Sequence, residues 1–152
     1  MSTDLFDALF VVTGALERAS IDYGLVGGLA VAVHGAPRAT TDIDLLISPD
    51  DADRAVALAK EAGFQFEGLP QQFSDGMRLR RVTRIEHGES LTVDFMLADP
   101  ALQAVWDSRE RYDAGDGRHL WVVGREALIA MKVQAGRAKD LADIERLTEL
   151  DR

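Results

Sequence analysis

The chain contains no cysteine, and that absence excludes a disulfide scaffold, a thiolate metal site and a cysteine nucleophile together. Only four prolines occur in it, and no repeat, low-complexity tract or linker interrupts it. No apolar run approaches the ~18 residues of a membrane-spanning helix. Positive charge is also scarce: 17 Lys and Arg stand against 26 Asp and Glu, for a formal net charge of −9. Such a chain repels polyanions on average, which argues against non-specific duplex DNA binding and against an anionic membrane surface. A nucleoside triphosphate stays compatible, because it arrives with magnesium and an acidic site suits the metal. The three histidines, His34, His87 and His119, are scattered and none has the spacing of a metal pair. No serine sits in a motif with a His and an Asp. The N-terminus begins acidic (Asp4, Asp7) with no basic flank, so no signal peptide is expected and the expected compartment is the cytoplasm.

What is present describes a globular protein. The 152 residues, 47% apolar and 28% charged, make one ordinary domain over 1–152. A domain of that length buries roughly 68–70% of its unfolded surface, so it folds without a disulfide or metal staple.

Apolar positions Leu5, Ala8, Leu9, Val12 and Leu16 form one helical stripe over 4–19. Tyr23 to Val26 reads as a short buried strand, broken by Gly27-Gly28, which opens a short helix over 29–34. Residues 41–48 give the clearest strand, stopped by Pro49, and a helix follows from Asp50 or Asp51 to Ala62. A strand is expected over 64–66 and a loop over 68–76. Two extended segments, 77–86 and 90–97, read as a hairpin joined at His87-Gly88-Glu89. A short helix over 99–108, two extended pieces around the turn cluster 113–117, and two helices over 125–135 and 138–150 complete the chain. Helices and strands in this order, with hairpins and a crossover, predict an α/β (α+β) fold with a mixed β-sheet flanked by helices.

The chemistry concentrates in two places. Alternation along a strand puts Asp42 and Asp44 on one face and Ile43, Leu45 and Ile47 on the other. The two aspartate Cα atoms then lie ~6.6 Å apart, close enough for both carboxylates to meet one divalent ion. Without a cation their repulsion is costly. Asp94 is a third acid, alone on its face of the apolar strand Leu91 to Leu97. If its strand lies beside the first, three carboxylates converge, the equipment of two-metal phosphoryl chemistry. Gly27-Gly28, at a strand end that opens a helix, exposes backbone N–H groups to phosphates. Singly, each feature is more simply a tight turn, a solvated edge or a strand end; their order and combination point to a metal–nucleotide site.

Two basic features accompany these. Arg78, Arg80, Arg81 and Arg84 form a patch, with Arg78, Arg80 and Arg84 on one strand face. A run of this kind is usually a solvated face, and contact with a triphosphate or a nucleic-acid acceptor is the sharper reading. Arg38 precedes the acidic strand and is a candidate for ordering that loop or a phosphate. A dinucleotide-binding reading fails, because Gly24-x-x-Gly27-Gly28 is not G-x-G-x-x-G and the second aspartate would have no job.

The segment Val26-Gly27-Gly28, thirteen residues, then Asp42-Ile43-Asp44-Leu45, with Val93-Asp94-Phe95 later, resembles the signature of the nucleotidyltransferase-fold superfamily, the fold of DNA polymerase beta. The resemblance covers residues 22–97. The stretch from Ala127 to Ile144, containing Lys132 and Arg137-Ala138-Lys139-Asp140, resembles the AbiEii-like branch, toxins of type IV toxin–antitoxin systems. This resemblance implies a nucleotidyltransferase using Mg2+ (or Mn2+), with Asp42, Asp44 and Asp94 as catalytic acids and metal ligands. It also implies nucleotide handling at Lys132 and Asp140, which join Gly27, Gly28 and Arg38 as the nucleotide-binding candidates. The partners it implies are a nucleoside triphosphate, a hydroxyl acceptor that is an RNA, a protein or a small molecule, and a cognate antitoxin or other protein. Lys132 among apolar neighbours also reads as a core lysine snorkelling outward, and Asp140 as an ordinary first-turn carboxylate. Two alternatives stand beside this reading: a non-catalytic nucleotide- or partner-binding domain (antitoxin or scaffold), and a small-molecule (antibiotic) nucleotidyltransferase.

Overall fold

A computed structural model describes residues 2–36 and 40–149. Helix α1 (Ser2–Arg18) leads into strand β1 (Tyr23–Val26), and helix α2 (Gly27–Val33) starts directly at its end. Strand β2 (Asp42–Ile47), a 3-10 turn and helix α3 (Ala52–Glu61) follow. Strands β3 (Phe66–Glu67) and β4 (Gln71–Gln72) are minimal, whereas β5 (Arg78–Glu86) and β6 (Glu89–Leu97) form a long hairpin. Helix α4 (Gln103–Asp107), the hairpin β7 (Glu110–Gly115) and β8 (Arg118–Val122), and helices α5 (Arg125–Ala135) and α6 (Ala138–Glu149) complete the order.

Among the described residues the strands make one mixed sheet in the order β3-β5-β6-β2-β1-β8-β7, with β4 on the flank of β5. β2 runs parallel to β6 and antiparallel to β1, so the two acidic strands are neighbours, as the expected convergence required. Alternation separates the faces. Ile43, Leu45, Ile47, Val93 and Phe95 are fully buried on the face where Arg80 reaches Asp53 of α3 and Tyr23 reaches Glu17 of α1. The opposite face carries the acids. Burial of some thirty apolar side chains around this sheet is the main stabilising term.

Several expectations shift. The short helix begins at Gly27 rather than 29, directly after an extended Val26 and without a side-chain cap. The strand expected over 64–66 lies at 66–67: Phe64 is instead a core residue just after α3, its N–H donating to the Ala59 carbonyl at 3.0 Å. The loop 68–76 contains β4. The hairpin joint is the two-residue His87-Gly88, both at positive φ (53° and 77°), so Glu89 belongs to β6.

Candidate active site

Strand pairing sets four residues in one row across the sheet: Arg81 on β5 opposite Asp94 on β6, Asp94 opposite Asp44 on β2, and Asp44 opposite Val26 on β1. Asp42, two residues earlier on β2, shares their face and pairs in register with Thr92. Because Gly27 follows Val26, the row ends where α2 begins. A Cβ at Gly27 would stand 2.1 Å from Asp44 Oδ2, and the glycine has φ +72°, so both the space and the backbone exclude an ordinary side chain. The glycine expected to expose N–H groups therefore also makes room for the central carboxylate.

The electrostatics follow from this packing. Burial pushes the Asp44 carboxyl up to about 7, with the like charges of Asp94 and Asp42 adding to it and Lys139 and Lys132 opposing. Among the described residues no cation lies within ion-pair distance of Asp42 or Asp44, and Asp42 accepts only a long bond from Thr41 Oγ1 at 3.4 Å. Asp94 differs: Arg81 Nε and Nη2 donate to its two oxygens at 2.7 and 3.0 Å. Among the described residues no three His, Cys, Asp or Glu side chains are gathered closely enough to hold an ion as they stand. The three acids thus share a face on neighbouring strands, but they do not meet at one point, and Asp94 is paired with Arg81. The donor set still fits a hard divalent cation, being all carboxylate oxygen around a half-buried acid whose charge a cation would relieve.

The basic residues of β5 correct the expected patch. Arg78 pairs with Asp99, Arg80 bridges Asp53 and Glu67 at 2.9 and 2.7 Å, and Arg84 stacks 5.3 Å from the centre of the Phe64 ring. Arg78 and Arg80 are therefore committed to other acids, Arg84 lines the pocket that holds Asp42 and Asp44, and Arg81 is the one paired with Asp94. Arg38 lies outside the described residues.

On the C-terminal side, α5 and α6 bring together a buried charged cluster. Lys132 Nζ lies 2.9 Å from Asp143 Oδ2 and 3.6 Å from Asp140 Oδ1. Arg137 donates from Nε to Asp140 Oδ2 at 2.6 Å and from Nη2 to Oδ1 at 3.2 Å. Burial raises the Asp140 carboxyl, but the hydrogen bonds and charge of Arg137 outweigh it and hold the group below its usual range. Lys132 does not snorkel outward: it is buried with its ammonium between Asp140 and Asp143, and its charge bears on Asp44. Asp143 does not stand out in the sequence, although its i,i+3 spacing from Asp140 is a legible signal. Neither does Lys139, which lines the pocket beside Asp44. Lys132→Met should cost about 3–5 kcal/mol in urea unfolding, since it removes the buried cation that bridges Asp140 and Asp143. A loss under about 1 kcal/mol would mean that the cluster is solvated.

A cavity of about 1240 Å³ opens beside these groups, lined by Gly28, Leu29, Asp42, Asp44 and Lys139 and, on its outer side, by Leu5 and Phe6 of α1 and the tip of the β5–β6 hairpin. It takes in the start of α2, whose first turn has no side-chain cap and no acidic residue.

This arrangement is the nucleotidyltransferase fold. ANT(2'')-Ia, an antibiotic-resistance factor, superposes with a TM-score of 0.70 at 19% identity over 99% of this chain and 86% of its own. The Thermotoga maritima protein TM1012 gives 0.68 at 16% identity over 100% and 96%. The lincosamide antibiotic adenylyltransferase LnuA, in a lincomycin-bound crystal structure, gives 0.62 at 16% identity over 93% and 95%. No protein-family profile and no curated protein matches the chain. Among the described residues no helix is long and apolar enough to cross a membrane.

Proposed function

We propose that this protein is a metal-dependent nucleotidyltransferase, moving a nucleoside monophosphate from a nucleoside triphosphate to a hydroxyl acceptor. The observation that carries the reading is the row Asp94–Asp44 with Asp42 on adjacent parallel strands, its central carboxylate packed on Gly27 and without a cation partner among the described residues. Asp42 and Asp44 would hold Mg2+ (or Mn2+), with Asp94 the third ligand. The ion supplies charge neutralisation on the triphosphate and its leaving group. The uncapped start of α2 at Gly27 and Gly28 offers backbone N–H groups to phosphate oxygens, and Lys139 and Lys132 add positive charge beside Asp44. Asp94 orients the acceptor hydroxyl and takes its proton as the oxygen attacks the α-phosphorus. The bond to the β-phosphate oxygen breaks and pyrophosphate leaves. The work asked of the chain is positioning and charge balance, as phosphoryl transfer requires.

The cavity beside Asp42 and Asp44 is large enough to admit a small-molecule acceptor next to the acids. Structural neighbours that act on antibiotics support that choice of acceptor. A second reading rests on the α5–α6 cluster. Lys132, Arg137 and Asp140, which carry the resemblance to the toxin branch, lie together there, and a toxin-like role would make the acceptor an RNA or protein and add a cognate antitoxin.

Thermal unfolding with each nucleoside triphosphate, with and without magnesium, tests the common part. A ligand at a hundred times its Kd adds ~2.7 kcal/mol, a rise of roughly 5–10 °C for this size. A magnesium-dependent rise that Asp42→Asn abolishes supports the site, whereas no rise with any triphosphate favours the non-catalytic binding domain. Label from the α-phosphate then separates the acceptors: incorporation into hydroxyl-bearing small molecules fits the first reading, and incorporation into RNA or protein the second.

A further inference from the structure

One carboxylate of the row already has a partner, supplied by a strand outside the glycine–aspartate signature. The guanidinium of Arg81 meets Asp94 through two parallel N–H···O bonds, a fork geometry that fixes the plane of the carboxylate as well as its charge. The Asp94 side chain is 7% exposed and that of Arg81 41%, so the pair is anchored on its acidic side and open on its basic one. The two basic neighbours on β5, Arg78 and Arg80, are tied to Asp99, Asp53 and Glu67. Arg81 also lies within the field of Asp42 and Asp44. Neighbouring strands stand ~4.8 Å apart, so the Arg81 backbone is two such steps from that of Asp44 and its side chain spans the gap toward the acids.

Resting on the nucleotidyl-transfer reading, we infer that Arg81 is a positioning residue that holds Asp94 in reserve, keeping the third carboxylate off the Asp42–Asp44 pair until a divalent cation draws it away and turns the released guanidinium toward the polyphosphate. A carboxylate forked by arginine offers an incoming ion only the lone pairs the fork leaves unused and a partly neutralised charge. Binding of a bare cation must therefore break or share a charge-assisted pair, and that weakens it. The same exchange frees a cation on the acid face, where a polyphosphate needs one, and that strengthens anion binding. Removing the guanidinium should move the two affinities in opposite directions, which general destabilisation of the fold would not do.

The test uses the full chain and two probes. Mn2+ alone is titrated with the paramagnetic signal of the free ion as readout, and inorganic triphosphate is titrated at saturating Mn2+, for wild type, Arg81→Gln, Arg81→Lys and Asp44→Asn. Circular dichroism and urea midpoints check that each variant is folded. Arg81→Gln should bind Mn2+ about tenfold more tightly than wild type and triphosphate about tenfold more weakly. Arg81→Lys, which keeps the charge but not the fork, should fall between them in both, and Asp44→Asn should lose Mn2+. Unchanged or weaker Mn2+ binding by a folded Arg81→Gln, with Asp44→Asn still losing the ion, overturns the role of Arg81 and leaves the nucleotidyl-transfer reading standing. No Mn2+ binding by wild type or Arg81→Gln overturns both.

Discussion

Asp44→Asn should abolish nucleotidyl transfer, by about 10³-fold or more, and at the same time make the metal-free protein more stable. Both effects come from one placement. The Asp44 carboxyl is half-buried beside two other acids, which raises it from its ordinary value to about 7. In the metal-free wild type, the folded state keeps a proton that the unfolded state gives up between about pH 4 and 7. Stability is therefore fully present below about pH 4 and falls as pH rises toward 7, by up to about 4 kcal/mol. The variant lacks that slope. In a chelator at about pH 8 it should melt roughly 5–10 °C above wild type, and saturating Mg2+ should stabilise wild type alone. Calorimetry from about pH 4 to 8, across the window of that titration, with a pyrophosphate-release assay checks both halves. Turnover retained in a folded variant, or the same pH slope in both proteins, removes the site from this position.

Gly27→Ala is expected to be nearly as damaging for a different reason. The new methyl carbon would lie 2.1 Å from Asp44 Oδ2 and 2.8 Å from its Cγ, at a residue with φ +72°. The left-handed backbone costs about 1–2 kcal/mol and the overpacking about 1–3, so the melting temperature should fall by roughly 5–15 °C. Any folded fraction should have Asp44 displaced and transfer lost. The double variant Gly27→Ala, Asp44→Ala separates the two costs, since truncating the carboxylate removes the clash and leaves the backbone strain. If alanine at 27 costs as much with Asp44 truncated as with it intact, the contact is not the cause.

The acids were legible because strand alternation is a local property. Asp42-x-Asp44 among Ile43, Leu45 and Ile47, and Asp94 between Val93 and Phe95, show their face without knowledge of the partners. Gly27 was legible as a break in the chain but not as the residue that admits Asp44, since that contact links separate strands. Arg81 was hidden by one residue of register. Joining the hairpin through three residues, His87-Gly88-Glu89, sets Val82 opposite Asp94, whereas the observed two-residue turn sets Arg81 there. A slip of one exchanges the faces of the whole strand, and the His-Gly dipeptide was the available signal for the shorter turn. The ends of β3 and the position of Phe64 were not legible, because a two-residue strand exists only through its pairing with β5.

The β2–β6 pairing also bears on how the chain acquires its structure. Asp44 and Asp94 are fifty positions apart and lie on parallel strands, while β1 closes on β8 from the far end of the chain. Loops of that length must close before either contact rewards them, which places the acid row among the late events of folding and makes the domain slow for its size. The β5–β6 and β7–β8 hairpins, by contrast, close locally. A nascent chain would therefore carry its hairpins for some time before its three carboxylates met, and a divalent ion would recognise the finished protein without accelerating its formation. Magnesium should slow unfolding and leave the refolding rate unchanged.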